Sequence, residues 1–460
     1  MLALIKKLSW QKIGIAALLV FGFATRLWMI QSPNQVVFDE VHFGKFASSY
    51  FDGQYYFDIH PPLGKLLIAA GAALGGYGQY VKEHGVFDFA TIGEQYAGMP
   101  YVGFRLFPAI AGALLPIAIY LFVKSLRLPD MAAFGAGFLV LFDNALLTQS
   151  RLALMDSFLL LFGFLGLAVF FASRNREYDW KRLAFAGLLF GLSVSVKWTG
   201  LSFLGLAGLV YVYDTIRQAF AHRSRAFFVL APRFFIALAC FIVVPLLVYY
   251  AVFAVHFHFL THPGTGDAYM DQNFWHLPTA GKFIELNDKM WFYNTTLKAT
   301  HPYGSPAWTW PFMVRPIYYW IGDAVPGAAA RIYLIGNPMA WMLGVVGLVC
   351  ALFIDKAGEK QKFVYVVLFI GYLSNFLPFF DITRVLFLYH YFAALVFSFV
   401  LVSVWLAEAT ERMKPRTRTA LWAALGIAVV AGFLFFAPLS YGSLLTDHAY
   451  HLRTWMQSWI

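Results

Sequence analysis

Long apolar stretches recur along the chain and are separated by polar segments, most of them short. A helix needs about 20 mostly apolar residues to cross the hydrocarbon core of a bilayer, and eleven stretches reach or approach that length. They cover residues 13–30, 104–123, 132–149, 153–172, 183–197, 199–213, 234–255, 336–354, 363–380, 387–406 and 420–437. The pattern predicts an all-α polytopic membrane protein whose residues 1–460 form a single transmembrane domain.

Three of the apolar stretches need a closer interpretation. A single span over 183–213 would be too long, so we predict two short spans joined by a tight hairpin near Lys197 and Trp198. The stretch at 63–78 is short and rich in glycine. That composition favours an interfacial or re-entrant helix over a span. The stretch near 13–30 is too long for a signal peptide and lacks a small-residue cleavage site, which indicates an uncleaved anchor.

The composition agrees with a chain dissolved in lipid. Charged residues make up 13% of the sequence, against about 25% in a soluble domain. Aromatic residues make up 19%, and Tyr and Trp favour membrane interfaces. Cys240 and Cys350 both fall inside apolar stretches, so we expect buried thiols rather than a disulfide or a metal site.

The distribution of basic residues predicts the orientation of the chain. If the N-terminus, with Lys6, Lys7 and Lys12, is cytoplasmic, six short cytoplasmic segments hold more than half of the 34 Lys and Arg residues. This bias follows the positive-inside rule. The formal net charge of +10 is thus a topology signal, and we expect no nucleic-acid partner. Two long segments, at about 31–103 and about 256–335, then lie outside the cytoplasm.

Charged residues beside apolar spans are costly to bury and therefore informative. The first outside loop and its edges carry Arg26, Asp39, Glu40, Asp58, His60, Pro61, Lys65 and Arg105. Adjacent carboxylates in an aromatic setting can supply a general base, and arginines at the bilayer edge can grip a phosphate. For each residue a structural alternative stands beside this interpretation, since an arginine can extend to lipid headgroups and a glutamate can cap a helix.

Further polar residues are predicted to reach the same outer face. They are Arg151, Lys197, Arg384 and His390. His60 lacks a spaced set of partner ligands, so we expect it to hold its loop by hydrogen bonds, and we expect no metal site. Asn294 begins an NTT glycosylation pattern, which we interpret as a chance match in a bacterial chain.

Several of these segments resemble the protein O-mannosyltransferases, which use dolichyl- or polyprenyl-phosphate mannose. The resemblance is carried by FDEVHFGKFASSYFDGQYYFDIHPPLGKLL at 38–67, FRLFPAIAG at 104–112, TQSRLALMDS at 148–157, VKWTGL at 196–201, HPYGSPAWTWPFMVRPIYYW at 301–320 and FLYHY at 387–391. These motifs run in the family's order and span most of the chain. The Asp-Glu pair followed by an HPP loop is the most specific of them.

The resemblance implies a GT-C-type glycosyltransferase fold with about eleven transmembrane helices and two long extracytoplasmic loops. It implies transfer of mannose, with inversion, from polyprenyl (dolichyl) phosphate mannose to Ser/Thr hydroxyls of secreted or membrane proteins. Asp39 matches the family's catalytic base and Glu40 its essential neighbour. Essential arginines of the family match Arg26 and Arg105.

Other roles are expectations built on that resemblance. We assign the donor phosphate to Arg26, Arg105, Arg151, Lys197, Arg384 and His390, the arginines either binding it or holding the carboxylates. We assign the acceptor region to Asp58, His60, Pro61, His301 and Trp310. Polyprenyl phosphate mannose is the expected donor substrate, and the sequence identifies no cofactor with certainty and leaves open whether a divalent metal is needed. The expected partners are the bilayer and an unfolded or extended Ser/Thr-containing polypeptide, including one undergoing translocation.

One departure from the family concerns the second outside loop. Eukaryotic members insert a β-trefoil domain there, and this loop of about 80 residues is too short to hold one. The chain therefore resembles a bacterial or minimal member, expected in the plasma membrane with an extracytoplasmic active site.

Three alternatives remain open on the sequence. A lipid-carrier glycosyltransferase acting on lipid A or a cell-wall polymer would share the outer carboxylates but should lack the HPP loop. A transporter should have polar residues at mid-membrane and two similar halves, and we find no internal repeat. A non-catalytic scaffold would not depend on Asp39 or Arg105.

Overall fold

The computed structural model describes residues 10–221, 226–322, 324–353 and 358–460. Its helices are Trp10–Leu27, Glu40–Asp52, Leu63–Leu74, Tyr77–His84, Val102–Ser125, Asp130–Leu141, Asn144–Ser150, Asp156–Arg174, Trp180–Val196, Leu201–Ala221, Ala226–Ala237, Val244–Phe259, Thr279–Thr296, Pro338–Ala351, Glu359–Ser374, Phe392–Ala409, Pro415–Tyr441 and Asp447–His451. Lys6 and Lys7, used above for the orientation, lie outside the described residues.

Every predicted apolar stretch coincides with a helix. Among the described residues, seven helices are long and apolar enough to cross a membrane, and the number is eight if one bent pair counts as a single span. The other three predicted spans correspond to Trp10–Leu27, Trp180–Val196 and Pro338–Ala351, which are shorter or less apolar. The chain is thus an integral membrane protein of mainly helical structure.

The bent pair consists of Asp130–Leu141 and Asn144–Ser150, whose axes differ by 61°. Asp143 begins the second helix, because its carboxylate accepts a hydrogen bond from Leu146 N (2.9 Å), as an N-cap residue does. The same carboxylate accepts from Trp341 Nε1 at 2.7 Å. This buried aspartate therefore ties the bend to the helix Pro338–Ala351.

The predicted break near Lys197 is confirmed. The helix Trp180–Val196 ends where Lys197 takes an extended conformation, and a short 3₁₀ turn, Trp198–Gly200, leads into the next helix. The apolar stretch at 63–78 forms the helix Leu63–Leu74, whose 12 residues are too few to span a bilayer. Both free cysteines lie apart, with Cys240 buried and Cys350 half-buried.

A small antiparallel sheet was not predicted. Its strands are β1 (Ile317–Ile321), β2 (Ala328–Leu334) and β3 (Leu444–Thr446), in the order β1-β2-β3. Tyr318 pairs with Tyr333 and Trp320 pairs with Ile332, so Tyr319 is an extra residue on β1. Such a bulge bends a strand and redirects a side chain, and here it aims Tyr319 into the protein, where it is 1% exposed.

The first outside loop packs closely onto the membrane helices. Gly64 packs directly against the Met155 side chain, which precedes the helix Asp156–Arg174. A Cβ at this position would collide with Met155. Pro61 and Pro62 stiffen the turn just before this point. The close approach places the HPP loop next to the start of the helix Asp156–Arg174.

Candidate active site

A cavity of about 290 Å³ opens where several segments of the chain meet. Its polar wall contains His60, Asp156, Lys197, Arg384 and His390, and most of the remaining wall is apolar. These residues come from the HPP loop, the start of one helix, the break at Lys197 and the segment before Phe392–Ala409. Four of the residues singled out from sequence, His60, Lys197, Arg384 and His390, are therefore brought together.

Asp39 precedes the helix Glu40–Asp52 as its N-cap residue. It does not line the cavity itself, but it is close enough to two lining residues, Lys197 and Asp156, to interact with them electrostatically. The preceding residue, Phe38, has a φ of +44°, a left-handed conformation that is strained for a bulky side chain. Its ring stacks on Tyr319 with centroids 4.2 Å apart. This strained turn fixes the direction in which Asp39 leaves the backbone.

The Asp39 carboxylate is half-buried and has no hydrogen-bond partner among the described residues. Desolvation by the surrounding protein raises its pKa to about 7, and Lys197 opposes this shift while Asp156 and Asp58 add to it. A carboxylate with this pKa is suited to accept a proton near neutral pH. Of the two adjacent carboxylates, Asp39 is the one available for chemistry.

Glu40, by contrast, is fully engaged. Its buried carboxylate forms a bidentate pair with Arg105, with Nε–Oε1 and Nη2–Oε2 distances of 2.8 Å. It also accepts hydrogen bonds from Val37 N, Tyr96 Oη and Ala153 N at 2.9–3.0 Å. Five donors leave no room for a substrate, so the geometry argues for a structural role of Glu40.

Arg105 was a candidate for the donor phosphate, but it is 0% exposed. Apart from Glu40 it donates to the carbonyls of Ile30, Pro33 and Gln35. Its guanidinium therefore holds the first outside loop against the membrane helices. Of the two roles considered from sequence, holding the carboxylate is the one that fits.

Arg26 and Arg151 also depart from the assignment to donor phosphate. Arg26 donates to the carbonyls of Val140 and Leu141 (3.2 and 2.7 Å), which end a helix and favour a cation. Arg151 donates to the carbonyls of Trp28 and Met29. Both are buried, and neither lines the cavity. The carbonyls that they bind are distant in sequence. The sequence pattern therefore showed two arginines without visible partners, which suggested a ligand.

Asp58 serves the loop rather than an acceptor. It forms a buried ion pair with Lys65, and Lys65 also donates to the carbonyl of His60 at 2.6 Å. This pair shapes the HPP turn and turns His60 toward the cavity. Burial, together with Lys197 and Arg384, lowers the pKa of His60 well below its usual value, so its ring is neutral at physiological pH.

The cations of the cavity differ in how they are held. Lys197 Nζ donates to Asp156 Oδ1 at 2.6 Å, whereas Arg384 has no hydrogen bond or ion pair among the described residues. His390 Nδ1 lies within hydrogen-bond distance of both Phe387 N (3.1 Å) and Phe387 O (3.0 Å), and which of these contacts it makes decides whether Nε2 carries the ring proton. Lys197 and Arg384 bring positive charge to the cavity wall, and His390 lies beside them.

Trp310 and His301 were predicted to lie in the acceptor region. Trp310 is 0% exposed and stacks on His390 with centroids 6.1 Å apart, so it supports His390 and is inaccessible to an acceptor. His301 lies in an outer groove of about 430 Å³ that shares Arg384 with the cavity. Its ring is 6.4 Å from that of Phe38, close to Asp39.

Sequence reasoning missed Gln149, Tyr319 and Tyr96 as parts of the site. Gln149 lies inside an apolar stretch, and an amide there could have been noticed as a costly residue. The partners of the two tyrosines are 170 and 56 residues away, so no local pattern could reveal them. Within the described part of the chain, no three His, Cys, Asp or Glu side chains are grouped to hold a metal ion.

Two family models match the chain. The model described as dolichyl-phosphate-mannose-protein mannosyltransferase matches residues 16–261. The model described as the C-terminal four TMM region of protein-O-mannosyltransferase matches residues 279–459.

Curated relatives match somewhat more than half of the chain. Dolichyl-phosphate-mannose–protein mannosyltransferase 4 of Schizosaccharomyces pombe is 36% identical over 282 residues, covering 57% of this chain and 34% of that protein. Protein O-mannosyltransferase 1 of Drosophila melanogaster is 36% identical over 272 residues, covering 56% of this chain and 29% of that protein. The match thus spans about a third of the length of these relatives.

Solved structures share the fold. The S. cerevisiae protein O-mannosyltransferase Pmt1-Pmt2 complex bound to the sugar donor has a TM-score of 0.87 at 21% identity, covering 99% of this chain and 93% of that chain. ArnT from Cupriavidus metallidurans bound to undecaprenyl phosphate has a TM-score of 0.55 at 15% identity, covering 93% and 64%.

The fold is that of a membrane-embedded GT-C-type glycosyltransferase, as the resemblance implied. More than half of the residues match the first family model, and the chain belongs to the dolichyl-phosphate-mannose–protein mannosyltransferase family.

Proposed function

We propose that the protein transfers mannose from polyprenyl (dolichyl) phosphate mannose to Ser or Thr hydroxyls of a polypeptide. The observation that carries this proposal is the unpaired Asp39 carboxylate beside a cavity whose polar end holds Lys197, Arg384 and His390. The apolar wall of the cavity suits an isoprenoid chain. The choice of mannose as the sugar and of a protein as the acceptor follows the names of the family model and of the relatives.

In the proposed reaction, Asp39 accepts the proton of the acceptor hydroxyl. The oxygen forms a bond to the anomeric carbon from the face opposite the lipid phosphate, and the bond from that carbon to the phosphate oxygen breaks. The electron pair leaves with the phosphate, so the anomeric configuration inverts. Lys197, Arg384 and His390 stabilise the departing phosphate, an electrostatic effect often worth about 3–4 kcal/mol per donor.

We place the acceptor in the outer groove that contains His301. The groove shares Phe379, Ile382 and Arg384 with the cavity, so a peptide lying there would present a side chain toward the donor. His301 packs near Phe38, which directly precedes Asp39. This arrangement favours an extended, unfolded acceptor segment.

The topology completes the proposal. We place the N-terminus in the cytoplasm and the cavity on the extracytoplasmic face of a bacterial plasma membrane, because more than half of the Lys and Arg residues fall in the segments predicted on the opposite side. Residues 1–460 act as one transmembrane catalytic domain.

The test is transfer of radiolabelled mannose from polyprenyl-phosphate mannose to a Ser/Thr-rich peptide by the purified protein. Labelling of the peptide at its hydroxyl residues is the expected result. Labelling of lipid A or a polysaccharide instead would contradict the protein acceptor and move the function to the alternative lipid-carrier transferase.

Lys197→Met is expected to weaken donor binding. The substitution removes an ammonium from the cavity wall while keeping a side chain of similar length, and the lost charge-assisted contact corresponds to a loss of about 10- to 100-fold in affinity. Titration of the purified protein with polyprenyl phosphate measures it. Lys289→Met is the matched control, because Lys289 pairs with Asp271 on an exposed part of the outer segment; equal losses in both variants would contradict the assignment.

The rate of transfer is expected to rise with pH through about 7. Asp39 must be ionised to accept a proton, and desolvation raises its pKa to about 7. The active form therefore predominates above that pH and is lost below it. A pH profile of kcat/KM measures this, and a rate that stays constant through neutral pH would contradict the role of Asp39.

A further inference from the structure

A chain of buried hydrogen bonds leads away from the cavity behind Lys197. Tyr319 Oη donates to Gln149 Oε1 at 2.6 Å, and Gln149 Nε2 donates to Asp156 Oδ2 at 2.6 Å. Asp156 Oδ1 accepts from Lys197 Nζ, also at 2.6 Å. All four residues are buried, and none is more than 7% exposed. Lys197 and Asp156 line the cavity, whereas Gln149 and Tyr319 do not.

The chemistry of these groups sets the direction of the chain. An ionised carboxylate only accepts hydrogen bonds, so the amide group of Gln149 must turn its NH₂ toward Asp156 and its carbonyl toward Tyr319. The Tyr319 hydroxyl must then donate. Burial raises the pKa of Tyr319 well above its usual value, which keeps the proton on that hydroxyl. Each oxygen of Asp156 thus has one defined donor.

Tyr319 also contacts the segment that carries the candidate base. Its ring stacks on Phe38 at a centroid distance of 4.2 Å and an angle of 9°, and Phe38 directly precedes Asp39. The bulge in β1 is what aims Tyr319 at both partners. Tyr319 therefore touches the Asp39 turn through its ring, and its hydroxyl is linked to the Lys197–Asp156 pair by way of Gln149.

We propose that Gln149 and Tyr319 are positioning residues that hold Asp156, and through it the Lys197 ammonium, at a set position relative to Asp39. They touch neither donor nor acceptor. An Asp156 side chain free to change rotamer would let the Lys197 ammonium occupy several positions. Tyr319 orients the Gln149 amide, and the amide holds one oxygen of Asp156, so the other oxygen keeps the ammonium at one position for the departing phosphate. This role rests on the proposed function, since it assumes a lipid phosphate at Lys197.

The first test compares two Tyr→Phe substitutions in the same sheet. Tyr319→Phe removes the hydroxyl but keeps the ring on Phe38, and we expect about tenfold weaker binding of polyprenyl phosphate, the scale of a lost hydrogen bond in a charged network. Tyr333→Phe removes a buried hydroxyl that bonds Tyr450 in the helix Asp447–His451 and should leave binding unchanged. Equal effects of the two variants would overturn the proposal.

The second test is a double-mutant cycle between Gln149→Leu and Lys197→Met. If Gln149 acts through Lys197, Gln149→Leu weakens polyprenyl phosphate binding in the wild-type background and has no further effect in the Lys197→Met background. Additive losses would indicate a general structural role and overturn the proposal. Thermal unfolding of each variant shows whether the fold is kept.

The same titrations separate this proposal from the proposed function. Wild-type protein that binds polyprenyl phosphate, with additive losses in the cycle, contradicts only the positioning role. Wild-type protein that does not bind polyprenyl phosphate contradicts the donor assignment and the positioning role together.

Discussion

Asp39→Asn is expected to reduce mannose transfer by about 100- to 10,000-fold, the range that a positioned general base contributes. An amide of the same shape cannot accept the proton of the acceptor hydroxyl. The lipid phosphate is assigned to Lys197, Arg384 and His390, so donor affinity should stay close to that of the wild type. Turnover and polyprenyl phosphate binding, measured on the same preparation, check both parts of this expectation.

The stability of the Asp39→Asn protein provides an internal control. The folded protein raises the pKa of this carboxyl from its ordinary value of 3.8 to about 7, which means that the folded state disfavours its charged form. Removing the charge should therefore leave the melting temperature at neutral pH unchanged or raise it. Asp88→Asn is a matched control, because Asp88 pairs with Lys45 on the surface and should keep full activity. Undiminished transfer by Asp39→Asn would reject Asp39 as the base.

The helical framework was predictable because a membrane span requires an apolar stretch of sufficient length, and that length is visible in the sequence itself. Each of the eleven apolar stretches became a helix, and the length argument placed the break at Lys197 correctly. The sheet escaped prediction because β3 lies about 110 residues beyond β2 and has only three residues, Leu444–Thr446. Its pairing depends on the fold of everything between the two strands.

The site was predictable as a set of residues but not as a set of roles. Charges at the edges of spans correctly indicated residues that meet, such as His60, Lys197 and Arg384. Whether a buried arginine binds a ligand or backbone carbonyls depends on atoms from distant segments. Arg26 bonds carbonyls 114 and 115 residues away, and Arg151 bonds carbonyls more than 120 residues away.

The Glu40–Arg105 pair shows why a structural role must be told apart from a ligand-binding role when a variant loses activity. A variant that fails to fold and a variant that fails to bind donor both give no transfer. The two side chains are each 1% exposed, and truncating one partner of a buried ion pair leaves the other charge without compensation. The two candidate roles of Arg105 therefore predict different losses on substitution: a loss of stability if it anchors the loop, and a loss of donor affinity if it binds the phosphate.

Arg105→Ala is expected to destabilise the protein by about 3–5 kcal/mol. The substitution strands the Glu40 carboxylate and frees the carbonyls of Pro33 and Gln35, so the first outside loop loses its anchor. Thermal unfolding in detergent, followed by tryptophan fluorescence, measures the effect. Lys45→Ala is the control, since it breaks an exposed ion pair worth at most about 1 kcal/mol.

A double variant distinguishes the two roles further. Glu40→Gln added to Arg105→Ala removes the stranded charge, so the double variant should be more stable than the sum of the single losses predicts. If Arg105→Ala instead unfolds at the wild-type temperature and binds polyprenyl phosphate poorly, the guanidinium belongs to the donor site after all. Because the loop that Arg105 anchors also carries Asp39, a loss of stability in Arg105→Ala should lower transfer even though the guanidinium touches no substrate.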